Sequence, residues 1–148
     1  MMIRQNRLPS TIGRPWGDST RYAHLVWYSN ESDRLTAHQR QILVERKAEG
    51  LAVSVISCWE VAKLVELGRL DLDRSVQEWI RQALIPSEIR LLDLTPQIAV
   101  ASTQLPGQFH RDPADQIIVA TARVYDVEVM TVDRRILKYE HVHTVENA

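Results

Sequence analysis

The apolar positions change period several times along the chain. Residues 51–57, LAVSVIS, form an almost unbroken apolar run, which predicts a strand covered on both faces. The run passes straight into CWEVAKLVELG, a helix expected to close at Gly68. Val76, Trp79, Ile80, Ala83 and Leu84 recur at i, i+3, i+4, i+7 and i+8, the stripe of an amphipathic helix, with Asp73 or Ser75 as its cap. Residues 89–94 read as a second strand. Thr95-Pro96 then opens a helix to about Ala101, and Leu105-Pro106-Gly107 breaks it.

Residues 110–133, HRDPADQIIVATARVYDVEVMTVD, organise the rest. Asp112 is an N-cap and Pro113 the first helical residue, where its missing N–H costs nothing. Ile117, Ile118, Val119, Ala120, Ala122 and Val124 make a helix apolar over most of its surface, hence buried. Residues 127–132 follow as a strand rich in β-branched side chains, and a fourth strand is expected near 141–145. Upstream, residues 36–49 form a helix opened by a Thr36/Gln39 capping box and stopped at Gly50. The short apolar run Leu25, Val26, Trp27 and Tyr28 fits helix or strand equally. Residues 1–22 have no apolar period, and no apolar run stands where an opening strand is expected.

Strands alternating with helices predict an α/β fold built on a mostly parallel sheet. At 148 residues the chain suits one domain with one core. A net charge of −1 excludes a global basic footprint, so a nucleic-acid ligand needs a local basic patch or a metal bridge. The single cysteine, Cys58, forbids an internal disulfide and sits in an apolar setting that marks it as a core residue. No stretch is long enough to span a membrane and no signal-peptide core opens the chain, so a cytoplasmic protein is expected.

The candidate chemistry lies at element boundaries. Asp115 falls in the first turn of the helix after Asp112, Asp133 at the carboxyl end of the strand after it, and Glu60 just beyond the strand at 51–57. Each has a structural explanation. Asp115 suits a helix dipole, Asp133 caps a short helix starting at Arg134, and Glu60 is the N3 acid of a box capped by Ser57. Together they differ, because in open α/β sheets ligands gather outside the carboxyl ends of the strands. Clustered carboxylates repel one another, and a hard cation such as Mg²⁺ with oxygen ligands and waters resolves the repulsion. Of the five histidines none has metal-motif spacing; His24 and His110 are the two placed to matter. Arg111, Arg134 and Arg135 flank the acids, either as solvated charges or as phosphate contacts. There is no Gly-rich phosphate loop and no GxSxG elbow.

CWEVAKLVELGRLDL, LLDLTP, LPGQFHRDPADQIIVATA and VMTVDRRILKY, in this order and spacing, resemble the PIN-domain family, and most closely its VapC-type toxins of bacterial toxin–antitoxin pairs. The likeness runs from about His24 to the C-terminus. It implies a PIN-like three-layer α/β/α sandwich over residues 23–148, after an atypical segment over 1–22. It also implies four clustered acids holding Mg²⁺ or Mn²⁺, cleavage of RNA, a cognate antitoxin, and a homodimer as one assembly open to the chain. Carried over by motif, the ligands are Glu60, Asp115 and Asp133, with Asp112 and His24 as secondary candidates. The family's first acid is missing: its opening Leu-Leu-Asp-Thr-His meets Tyr22 and Ala23 at the Asp and Thr positions, after polar Ser19, Thr20 and Arg21. Read one base out of register, the degenerate codons for Asp18 to His24 allow Ile-Leu-Leu-Asp-Thr-His. As a hypothesis, residues up to about 24 are therefore translated out of frame, which the gene's own codons decide. The resemblance thus implies a metal-dependent endoribonuclease toxin impaired by the lost acid. Two alternatives stay open: an inactive remnant that only binds an antitoxin, or an α/β domain whose acids are helix caps alone.

Overall fold

The structure, a computed structural model, describes residues 24–26 (backbone only), 37, 41, 45, 51–84, 89–131 and 133–145. The strands are β1 (His24–Val26), β2 (Leu51–Ser54), β3 (Ile89–Leu92) and β4 (Val129–Met130). The helices are α1 (Val55–Glu66), α2 (Val76–Leu84), α3 (Pro96–Ser102), α4 (Pro113–Tyr125) and the single turn α5 (Arg134–Leu137). The atypical segment at 1–22 lies outside the described residues. So does most of the helix expected at 36–49, although Ala37, Gln41 and Glu45 are helical and exposed, and the Gln41 amide donates to the Glu45 carboxylate at 2.7 Å.

All four strands run parallel, in the order β3-β2-β1-β4. Leu25 and Val26 of the ambiguous apolar run therefore lie in a strand, and a central one; Trp27 and Tyr28 lie outside the described residues. Leu25 is in register with Ala52 on one side and with Val129 on the other. The opening strand that the polar residues 19–21 could not supply lies a few residues later. Connections step from β1 to β2 to β3 in one direction, and β3 to β4 returns in the other. Right-handed crossovers then put the two sets of helices on opposite faces, which gives the α/β/α layering.

Several boundaries differ from those the sequence predicts. The strand expected at 51–57 ends at Ser54, whose hydroxyl accepts from the Ile56 amide at 3.3 Å and caps α1. Val55 and Ile56 are β-branched and read as strand, yet the buried Ser54 cap turns them into the first turn of a helix. Ser57 is thus not the cap. It is buried inside α1, and among the described residues its hydroxyl has no hydrogen-bond partner. Glu60 moves from the N3 position to the second turn. The strand expected at 127–132 shrinks to two residues, and the one expected near 141–145 is a single parallel bridge from Val129 to Thr144. That bridge is closed by Val129 N to His143 O at 2.8 Å and Val145 N to Val129 O at 3.0 Å.

The core gathers Ala52, Leu92, Ile118, Val119, Val129, Met130 and Ile136, all at most 1% exposed. Helix α4 lies against it along Ile118, Val119 and Ala122, and packs on α3 and α1. No described helix is long and apolar enough to cross a membrane. The start of α4 is as the sequence predicts. Asp112 accepts from the backbone of Ala114 at 3.0 Å and Asp115 at 3.3 Å, and Pro113 follows. An Asp112→Ala change removes that cap and is expected to cost about 1 kcal/mol in urea unfolding, whereas Asp112→Asn keeps most of it. Equal losses for the two variants would show that the cap is not what Asp112 contributes to stability.

Candidate active site

Strand order reverses at β1, because β2 and β4 lie on its two sides. The carboxyl ends of β1 and β4 therefore frame the topological switch point of the sheet, where α/β folds place ligands. Asp133 arrives there three residues after β4. The Thr131 hydroxyl accepts from the Asp133 amide at 3.0 Å, and Asp133 then caps α5 by accepting from Arg135 N at 2.7 Å. Asp115 arrives from the first turn of α4, its side chain only 3% exposed.

The two acids meet on one cation. The Arg135 guanidinium donates through Nη2 to Asp133 Oδ2 at 2.7 Å and to Asp115 Oδ2 at 3.1 Å, while its Nε lies 3.2 and 3.3 Å from the Asp133 oxygens. His110 Nε2 stands 2.5 Å from the same Asp115 Oδ2. The His110 segment is fixed from three directions. Gln116 donates to its backbone carbonyl at 3.2 Å, the Phe109 ring sits between the rings of His110 and Tyr139, and the Tyr139 hydroxyl donates to Pro106 O at 2.6 Å.

Burial pushes the Asp115 carboxyl above its ordinary range, and the nearby charges of Asp112 and Asp133 add to this against the opposing pull of His110 and Arg135. Burial also raises Asp133, but the side-chain and backbone hydrogen bonds of Arg135 outweigh it and hold this carboxyl below the usual range. The two acids thus differ although they share a partner, because only Asp133 is wrapped by the guanidinium.

Of the expected residues, Asp115 and Asp133 are brought together. Asp112 stands beside them as the cap whose charge Asp115 feels. Glu60 is half-buried on α1, a helix that packs against α4. His24 opens β1, and its side chain lies outside the described residues. Among the described residues no group of three or more His, Cys, Asp or Glu side chains is set to hold a metal ion. The donor set nevertheless fits a hard divalent cation. Two carboxylates already share one positive charge, and Mg²⁺ commonly takes one or two carboxylates, with waters and phosphate oxygens completing its shell. Sequence reasoning placed Arg135 only as a flanking charge. Its bridging role depends on a contact 20 residues apart in the chain, which no local period signals.

Comparison with known proteins agrees with this architecture. The family model described as the PIN domain matches residues 24–142, so the chain belongs to the PIN-domain family. It is similar to a Mycobacterium tuberculosis protein named Ribonuclease VapC22, at 35% identity over 119 residues, covering 80% of this chain and 88% of that protein. Among solved structures it is similar to VapBC2 from Rickettsia felis bound to a promoter DNA fragment, with TM-score 0.61, 12% identity, and 83% and 97% of the two chains covered. It is also similar to DNA-bound VapBC from Salmonella typhimurium, with TM-score 0.59, 15% identity, and 84% and 97% covered. At these identities the structures speak for the fold.

The shared guanidinium has a measurable consequence. Asp133, with its lowered pKa, stabilises the fold above the ordinary carboxylate pKa, and this contribution is lost as pH falls through its folded value. Asp115, with its raised pKa, acts in the opposite sense: its contribution is present at low pH and lost as pH rises through its folded value. In an Arg135→Ala variant a carboxyl NMR titration is expected to show Asp133 moving up. An Asp133 titration unchanged by the substitution would contradict the bridge.

Proposed function

We propose that the chain is a divalent-metal-dependent endoribonuclease toxin of a toxin–antitoxin pair, working in the cytoplasm as one PIN unit over residues 23–148. The observation that carries this reading is the carboxylate pair of Asp115 and Asp133 on one shared cation at the switch point of a parallel sheet. The 35% identical relative named a ribonuclease supports RNA as the substrate class. The neighbours named as VapBC and toxin–antitoxin complexes support an antitoxin as partner. The lone Cys58, with no second cysteine to pair with, is consistent with a reducing compartment.

In this reading Asp115 and Asp133 hold Mg²⁺ or Mn²⁺, and Glu60 is the third acid. Such a cation, when bound, activates water and neutralises charge on a phosphodiester. The protein's own groups set the stage. The 3% exposure of Asp115 keeps one carboxylate largely out of solvent, where its attraction for a cation is stronger. His110 fixes the orientation of that carboxylate. Arg135 bridges the two acids with its side chain 56% exposed, and a cation bound between them would release the guanidinium to face a phosphate.

One feature favours a second reading. By motif Tyr22 takes the place of the family's first acid, and the residues that follow β1 in the sequence, Trp27 and Tyr28, are not acids either, which lowers the ligand count and the negative charge of the site. An inactive remnant that only binds an antitoxin would share the fold and the surface but not the cleavage. The purified chain is expected to cleave RNA when Mn²⁺ or Mg²⁺ is added, at a rate reduced by the lost acid. Asp115→Asn should lower that rate by on the order of a hundredfold or more. Cleavage that survives Asp115→Asn would sink the enzyme reading, and no cleavage with retained binding to the neighbouring gene's product would favour the remnant.

A further inference from the structure

A cavity of about 360 Å³ opens beside the two groups that touch Asp115, His110 and Arg135. Its lining includes His110 and Arg135, the two side chains that also contact the Asp115 carboxylate. Lys138, three residues beyond Arg135, and His141 also line it. Lys138 is exposed, and among the described residues its ammonium has no carboxylate partner. Of the acids, Glu140 lines the rim. Its carboxylate is 85% exposed and leans toward His141 at 3.5 Å, so most of its charge is in solvent.

The shape is built rather than incidental. Gly107 has φ +65°, and a Cβ there would come within 3.0 Å of the His141 ring, so the turn closes on that ring only with glycine. Tyr139 anchors the same turn through Pro106 O and carries His141 edge-on at a ring distance of 5.4 Å. Two of its lining residues tie it to the core: Tyr139 is part of the core, and Phe109 packs against it.

A cavity lined by a guanidinium, two imidazoles and an ammonium with no carboxylate partner among the described residues suits a phosphate oxyanion. A net charge of −1 gives the chain no global attraction for nucleic acid, so a local cluster of cations has to supply it. We propose that this cavity holds the phosphate flanking the scissile phosphodiester of a single-stranded RNA, with Lys138 as its principal contact. This rests on the ribonuclease reading of the neighbouring acid pair. Lys138 positions the strand; it is not a catalytic residue.

Binding of a single-stranded RNA, followed by fluorescence anisotropy in EDTA across a KCl series, tests the idea. Each phosphate contact on a single strand contributes about 0.7 to the slope of log K against log[salt]. Lys138→Ala is expected to reduce the slope by about that amount and to weaken binding about fivefold at 0.1 M salt relative to 1 M, for all RNA sequences alike. Lys138→Arg should restore the slope, and Lys63→Ala, on helix α1 outside the cavity lining and paired with Glu66, should match the parent protein. An unchanged slope in Lys138→Ala with RNA binding intact overturns the phosphate site alone. No RNA binding by the parent protein in EDTA overturns the phosphate site, whereas the ribonuclease reading falls separately, if the parent protein also fails to cleave RNA in Mn²⁺.

Discussion

Two carboxylates held side by side at the edge of a hydrophobic core repel each other, and a positive charge has to stand between them. Here that charge is the Arg135 guanidinium, at 2.7 Å from Asp133 and 3.1 Å from Asp115. Much of the local structure serves to bring these three groups to one place. The Asp112 cap starts α4 so that Asp115 falls in its first turn, and the Asp133 cap starts α5 so that Arg135 lies two residues on. The reversal of strand order at β1 sets both helix starts at one end of the sheet. The same residues are therefore caps and candidate ligands at once. A helix start and a carboxylate site ask for the same chemistry, an acid near unsatisfied backbone N–H groups.

That coincidence explains how much the sequence discloses. The α4 boundary was legible because Asp112 and Pro113 are local signals with local causes. The amphipathic stripe from Val76 to Leu84 was legible for the same reason, since a period needs no partner to be seen. β1 was not, because the apolar run that begins at Leu25 is too short to show a period and fits helix or strand equally. Only its pairing with β2 and β4 identifies it as central. The start of α1 was misplaced because Val55 and Ile56 carry strand propensity, and the Ser54 cap that overrides it is buried by tertiary packing. The three acids were named from order and spacing. The guanidinium between two of them was not, since it joins α4 to α5 through space.

The cavity beside His110 and Arg135 extends the same reasoning from the reacting centre to the strand that would cross it. Acids that concentrate a metal cation also repel an RNA backbone. A nuclease built on this sheet therefore needs cations close by but not on the same atoms. Arg135 stands between the two demands: it neutralises the acids and also lines the phosphate-sized cavity. Lys138, in no ion pair with a described carboxylate, meets only the second.

The central claim is that Asp115 and Asp133 form one cation site. Mn²⁺ binding followed by electron paramagnetic resonance tests it without reference to activity. The account predicts a bound Mn²⁺ signal in the parent protein that is lost in both Asp115→Asn and Asp133→Asn and is strengthened in Arg135→Ala, where the competing guanidinium is gone. Mn²⁺ affinity that is the same in the parent and in both Asn variants would contradict it.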